Sequence, residues 1–374
     1  MKRSTAIRFK IATLFMVYFL LVSILLFLNG YLLRLGVDKG GNWEANLALN
    51  FLNYIAGGIA GGLILALFEL FLLQNLFRRY GLLILTLGRA LFFTLVYVVI
   101  VVILAFYYNI EATGKGPFAS EVLDGVKTFL QSPEPLLNLV FYLVFATILV
   151  FFHQVAGIVG RGVMGKFLFA RYREPKVVQQ VFLFLDINSS TTIAETIGHV
   201  RFFAMIQDFL VEAGAEILEH GGEIYKYVGD EIIAIWNVES GARHARALHC
   251  VLSISDRIQS KSEQFLERYG VVPDFKSGIH VGEAMVGELG DWKREVAYMG
   301  DVINTTARIQ GACKKLQARV LISDEYYRLI IDNTRFSAEF VGKGRLRGKE
   351  EPVGLYRMNR AAVSSRALDD AAPA

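Results

Sequence analysis

The chain has 374 residues, 54% of them hydrophobic, and a mean hydropathy of +0.41, too apolar for an ordinary soluble protein and long enough for two domains. A formal charge of +4 is too small and too dispersed for nucleic-acid binding. The two cysteines, Cys250 and Cys313, have no CxxC or Cys/His spacing, which argues against a disulfide framework and a zinc site.

The apolar excess lies before residue 160. Ile11–Leu33, Ala45–Phe68, Ala90–Tyr108 and Pro135–Gly160 contain no Asp, Glu, Lys or Arg. Each is long enough, at 1.5 Å rise per residue, to cross a hydrocarbon core about 30 Å thick. Residues 1–160 therefore read as a domain of four transmembrane helices. The first is too long for a signal peptide.

Basic residues set the expected orientation. Lys2, Arg3, Arg8 and Lys10 precede span one, Arg78 and Arg79 join spans two and three, and Arg161, Lys166, Arg171, Arg173 and Lys176 follow span four. The positive-inside rule puts both termini and the C-terminal half in the cytosol. Glu69 and Arg89 flank the basic turn at similar distances; either they pair, since a lone charge at that depth costs about 2.5–3.5 kcal/mol, or Arg89 snorkels to the headgroups with Glu69 protonated or wet; His153 falls at a similar level. Gly57, Gly58, Gly61 and Gly62 form two overlapping GxxxG patterns, a face for close helix packing.

Residues 161–178 mix basic and aromatic residues and read as a juxtamembrane linker, either lying on acidic lipid or coupling the two halves. From 179 to 358 the pattern predicts strand 181–186, helix 191–219, hairpin strands 223–228 and 231–236, and helix 240–269. Strands around 275–287 and 293–299, helix 302–317, strand 319–322, helix 323–332 and closing strands follow. The opening β-α-β-β-α-β order predicts an α+β, ferredoxin-like core with helices on one face of an antiparallel sheet. Residues 359–374 are Ala/Ser/Asp-rich and are expected to be disordered.

Three stretches of this half carry chemistry. FLFLDINSSTT (182–192) is an apolar run that ends on Asp186, and Thr192 with Glu195 has the spacing of a capping box. Free N–H groups at such a helix start attract a polyphosphate. EIYKYVGDEIIAIW (223–236) puts Gly229–Asp230 at a hairpin tip, with Lys226 in an otherwise apolar strand. That lysine faces either solvent or a nucleobase acceptor. YMGDVINTTARIQ (298–310) sets Asn304 and Arg308 four residues apart on one helix face. Two convergent carboxylates suit Mg²⁺, and an amide beside a guanidinium suits a ribose and a phosphate. Each feature is common alone; their joint occurrence points to nucleotide chemistry.

At these residues the chain resembles the class III nucleotidyl cyclases, specifically bacterial membrane-anchored adenylate cyclases. FLDINSST is similar to the family's F-x-D-I-x-x-x-T, KYVGD to K-x-x-G-D, and GDVINTTAR to G-D-x-x-N-x-x-x-R. The resemblance implies that Asp186 and Asp230 bind metal, with Ile187 in the same set, and that Lys226 reads adenine. It implies that Asn304 orients the ribose, Arg308 stabilises the transition state and Thr191 contacts substrate. It further implies ATP as substrate, two Mg²⁺ or Mn²⁺ ions per site, and a homodimer whose sites each draw residues from both chains. The family's second base-selecting position, usually Asp or Thr, is Ala297 here; Tyr298 and Glu295 are the neighbouring substitutes. The family's phosphate-binding lysine falls among Lys343, Arg347 and Lys349, with the RGK element (Arg347, Lys349) the nearer match.

Rival readings are weaker. VGDEI (228–232) partly echoes the G-G-D-E-F signature of diguanylate cyclases, but Val228 replaces a glycine that backbone approach requires. That rival also leaves Asn304 and Arg308 without a role. Guanylate cyclase is opposed chiefly by Lys226. A non-catalytic nucleotide-binding receptor leaves five intact core residues unexplained.

Overall fold

A computed structural model describes residues 3–35, 47–68, 81–159, 172–242, 245–330, 336–344 and 352–360. They fall into two compact units divided near residue 164.

The N-terminal unit contains α1 (Arg3–Leu35), α2 (Leu47–Phe68), α3 (Leu82–Thr113), α4 (Ser120–Gln131) and α5 (Pro133–Val159). Among the described residues, Ala12–Tyr31, Leu82–Thr113 and Pro133–Gly157 are long and apolar enough to cross a membrane; the apolar run of α2, Tyr54–Phe68, is shorter. α3 begins well before the expected Ala90 and carries Arg89 buried within it. Glu69 lies outside the described residues, and so does any pairing with Arg89. His153 is half-buried, edge-on to the Phe15 ring at 5.5 Å. The 109–134 connection folds as a further helix, α4, whose Val122 and Val126 are buried. Its apolar positions recur at the 3.6-residue period between charged ones, so it is amphipathic rather than spanning.

The two GxxxG patterns face different neighbours. A Cβ at Gly58 would meet Ser23 Oγ at 2.7 Å, and one at Gly62 would meet Met16 Cα at 2.8 Å. These two glycines let α2 touch the α1 backbone, the close approach that small residues permit. Gly57 and Gly61, a quarter-turn round, look toward Leu104 and Ile100 of α3 at ordinary distances. Phe15, Phe19, Leu65, Phe93, Tyr142 and Leu149 fill the bundle centre.

The C-terminal unit is built on β1 (Lys176–Ile187), β2 (Glu223–Val228), β3 (Glu231–Asn237), β4 (Phe275–Leu289), β5 (Glu295–Met299), β6 (Val320–Ser323), β7 (Phe336–Gly344) and β8 (Val353–Arg360). The strand order is β2-β3-β1-β4-β6-β8-β7, with β5 paired to β4. All described pairings are antiparallel except β4 with β6. β1 is central, and Val181–Leu185 are almost wholly buried. Each such side chain contributes about 1.5–3 kcal/mol of burial.

Its helices are α6 (Ser190–Ile197), α7 (His199–Glu219), α8 (Val238–Gly241), α9 (Arg246–Ser260), α10 (Ser262–Tyr269), α11 (Asp301–Lys315) and α12 (Asp324–Leu329). The single helix expected over 191–219 is two, broken at Gly198 with φ +83. α6 starts at Ser190 behind Ser189, which makes no side-chain cap. Thr192 and Glu195 therefore lie inside the helix, and the expected capping box does not form. α7 ends as Gly221–Gly222 predicts: Gly222 N–H donates to Ile217 O (2.8 Å) and Gly221 N–H to Leu218 O (3.2 Å), the paired bonds of a Schellman motif.

The sheet is covered on both faces, not one. Leu183 and Leu185 point into a core with Met205, Phe209, Leu248, Val251 and Ile254 of α7 and α9. Side chains alternate along a strand, so Phe182 and Phe184 point the other way. There β5 arches back, and the Tyr298 ring meets Phe182 at 5.9 Å and Tyr225 at 5.1 Å. α11 packs on β4: a Cβ at Gly278 would lie 2.5 Å from Gln310 N, so only glycine admits the helix at that distance.

Candidate active site

The register of β1 assembles the acidic group. β1 pairs with β3 through Leu185 and Ile232, so Asp186, one residue on, comes beside Glu231 and the hairpin tip. Gly229, at φ +64, turns the corner that returns Asp230 toward β3. On its other side Asp186 is the register partner of Lys276 in β4, with Lys276 Nζ 2.8 Å from Asp186 Oδ2. Gln310 of α11 donates to the same oxygen at 3.2 Å.

The electrostatics follow from that crowding. Burial, then the charge of Asp186, raises the Asp230 carboxyl above its ordinary value, while a hydrogen bond from Ser190 opposes the rise. Glu231 is pushed up to about 7 by burial and by Asp186 and Asp230, against the pull of Lys276. Asp230 Oδ2 is buried without a hydrogen-bond partner. Mutually repelling carboxylates with a buried, unsatisfied oxygen are a donor set that a hard divalent cation relieves. The Ile187 side chain is a buried hydrocarbon with no donor atom, so only its backbone carbonyl could meet a cation. Among the described residues no group of three His, Cys, Asp or Glu side chains forms a closed cage. Open positions of this kind suit Mg²⁺, which keeps water and substrate oxygens in its shell. Thr191 is exposed in the first turn of α6, next to Ser190.

The remaining expected residues lie elsewhere. Lys226 is half exposed and pairs with Glu295 of β5 at 3.6 Å. Ala297, at the family's base-selecting position, is buried. Asn304 is exposed and Arg308 half-buried on α11, and Arg308 Nη1 is buried with no hydrogen-bond partner. Gln310 follows Arg308 by 200° of helical rotation at about 100° per residue, so the side of α11 that touches Asp186 is not the side that carries Asn304 and Arg308. None of Lys226, Asn304 and Arg308 is among the groups that perturb Asp230 or Glu231. One chain thus brings together the acidic group and, separately, the Lys226–Glu295 pair and the Asn304/Arg308 face. Arg347 and Lys349 lie outside the described residues; Lys343 is exposed in β7.

Sequence reasoning missed Lys276, Gln310, Ser190 and Glu231. Lys276 was detectable as the lysine at the start of β4, beside the buried Phe275. Gln310 carried no signal, because its role depends on Gly278 admitting α11 to the sheet.

Residues 174–359 match the family model described as the adenylate and guanylate cyclase catalytic domain. This part of the chain belongs to that family. Among curated relatives, adenylate cyclase 2 of Rhizobium meliloti (strain 1021) is 31% identical over 231 residues, 62% of this chain and 64% of the relative. The adenylate cyclase of Anabaena cylindrica is 27% identical over 186 residues, 48% of this chain and 36% of the relative. The chain thus spans less than two thirds of either relative. Among solved structures, an adenylyl cyclase from P. aeruginosa is 21% identical with a TM-score of 0.45, covering 51% of this chain and 98% of that one. The guanylate cyclase domain from Catenaria anguillulae in complex with GTP is 20% identical with a TM-score of 0.42, covering 50% and 98%. In this cyclase domain the matched segment runs from just before β1 to the end of β8 and includes all three motif stretches.

Proposed function

We propose that the cyclase domain converts ATP to 3′,5′-cyclic AMP and pyrophosphate at two sites shared across a homodimer. Asp186, Asp230 and the Ile187 carbonyl would hold two Mg²⁺ or Mn²⁺ ions. Bound there, the ions lower the pKa of the ribose 3′-hydroxyl and neutralise the triphosphate. The first-turn N–H groups of α6 and Thr191 face the phosphates, with Arg347 and Lys349 as further phosphate contacts. From the second chain, Asn304 fixes the ribose so that its 3′-oxygen lies in line with the α-phosphorus. Arg308 of that chain meets the charge that grows on the α-phosphoryl and bridging oxygens as the new P–O bond forms and pyrophosphate departs.

The observation that carries this reading is the division of α11. Gln310 holds Asp186 from one side of the helix, while Asn304 and the unsatisfied Arg308 Nη1 occupy another. Neither half is a complete site; two copies supply one.

Lys226 and Glu295 offer a donor beside an acceptor, which matches the adenine edge, with N1 accepting and N6–H donating. The guanine edge offers an acceptor and donors too. Buried Ala297 cannot discriminate, so guanylate cyclase is the second reading. The names of the two curated relatives favour ATP. The apolar helices anchor the chain in a membrane, with the cyclase domain in the cytosol, and hold two copies at high local concentration. Membranes carrying the full chain, incubated with Mn²⁺ and either ATP or GTP and analysed for products, test the reading. Cyclic AMP is the expected product; cyclic GMP, a dinucleotide or no product rejects it.

A further inference from the structure

Residues 172–175, which lead from the juxtamembrane segment into β1, are clasped to the β4–β5 hairpin. The backbone N–H of Glu288 in β4 donates to Tyr172 O at 2.9 Å. Pro175 lies over Gly287, where an added Cβ would come within 3.3 Å of the proline Cγ, and Gly287 is the register partner of Ala297. The Tyr172 side chain is buried and hydrogen-bonded to the side chain of Tyr298 in β5. Burial, then the neighbouring Tyr172 and Glu223, raises the Tyr298 hydroxyl above its ordinary value, so it keeps its proton and donates.

Tyr298 is itself buried, so its influence on a base passes through the strands it joins. Those strands share no described ladder: β2 pairs with β3, and β5 with β4. The Tyr298 N–H donates to the Tyr225 hydroxyl at 3.2 Å, and the two rings meet edge-on at 5.1 Å. Tyr225 adjoins Lys226 in β2, and Tyr298 shares β5 with Glu295. Their contact therefore sets the separation at which Lys226 and Glu295 meet, 3.6 Å. We propose that Tyr172 is a positioning residue for base selection: it holds Tyr298, and through Tyr225 the Lys226–Glu295 pair, so that a shift of the juxtamembrane segment changes which nucleotide the site prefers. The inference rests on the reading of that pair as the base contact. A buried tyrosine in this place could also serve packing alone, and the two roles separate when only its hydroxyl is removed.

The test uses membranes carrying the full chain, with ATP and GTP in competition and Mn²⁺ present. Tyr172→Phe keeps the ring and removes the hydroxyl. The ratio of kcat/KM for ATP over GTP is expected to fall about fivefold, the scale of one neutral hydrogen bond, through KM for ATP rather than kcat. Tyr298→Phe is expected to do the same. The double variant should lose no more than either single one, because both remove one contact. Circular dichroism and elution profile establish folding, and where one Phe variant does not fold the other decides. Glu295→Ala separates the two claims. If it leaves the ratio unchanged, the base contact is misassigned and the positioning role falls with it. If it lowers the ratio while the folded Phe variants do not, Tyr172 only packs, and the proposal is overturned with the base contact intact. Additive losses in the double variant also overturn it.

Discussion

Gln310 donates from Nε2 to Asp186 Oδ2 across 3.2 Å and so ties the end of β1 to one side of α11. Asn304 and Arg308 are left on another side of the same helix. Under the proposed function, that division makes the pocket a product of two surfaces.

Removing Arg308 tests the charge-stabilising role. Arg308→Ala should lower kcat by about 10²–10³, the scale seen for a single preorganised donor, with KM for ATP changed much less. Steady-state kinetics on membranes checks this, and a near-normal kcat removes the role.

The Lys226–Glu295 pair predicts a change in base preference. Glu295→Ala should erode the ratio of kcat/KM for ATP over GTP by about tenfold, the worth of one hydrogen bond of ~1–1.5 kcal/mol. Competition between the two nucleotides measures it. An unchanged ratio would return base selection to Tyr298 or to backbone contacts.

Metal-free stability should depend on pH in a stated direction. Glu231 holds its proton more tightly when folded, about 7 against an ordinary 4.5. Below pH 4.5 it is protonated in both states and costs nothing. As pH rises from about 4.5 through 7 the folded state must keep a disfavoured charge or a proton it would otherwise release, and stability falls. The raised Asp230 acts in the same sense. Denaturant midpoints in chelator between pH 5 and 8 should therefore decline, Glu231→Gln should flatten the decline, and Mg²⁺ should oppose it.

In the N-terminal unit, Gly62→Leu should destabilise the bundle by about 1–3 kcal/mol through overpacking, because its Cβ would sit 2.8 Å from Met16 Cα. Gly61→Ala, with 3.5 Å to Ile100, should be tolerated. Thermal unfolding in detergent distinguishes the two.

Much of this was legible from residue pattern. Apolar runs located α1, α2, α3 and α5, three of them long enough to span among the described residues, and spacing singled out Asp186 and Asp230, which the fold brings together. What periodicity could not show was tertiary. α4 reads as a loop because a short amphipathic helix carries charges at the density of a connection. α11 covers the second sheet face only because Gly278 lacks a side chain, and Lys276 reaches Asp186 only through register. The capping box failed because the helix starts three residues early, with Ser189 rather than Thr192 at the N-cap position.

The most direct test of a pocket built from two copies is to mix Asp230→Ala and Arg308→Ala chains, each inactive alone. If each site takes its carboxylates from one chain and its arginine from the other, random pairing gives one intact site in each mixed dimer. Turnover should then return to about a quarter of wild type. No recovery, with mixed dimers shown to form by affinity capture of one tagged chain, would contradict the shared site.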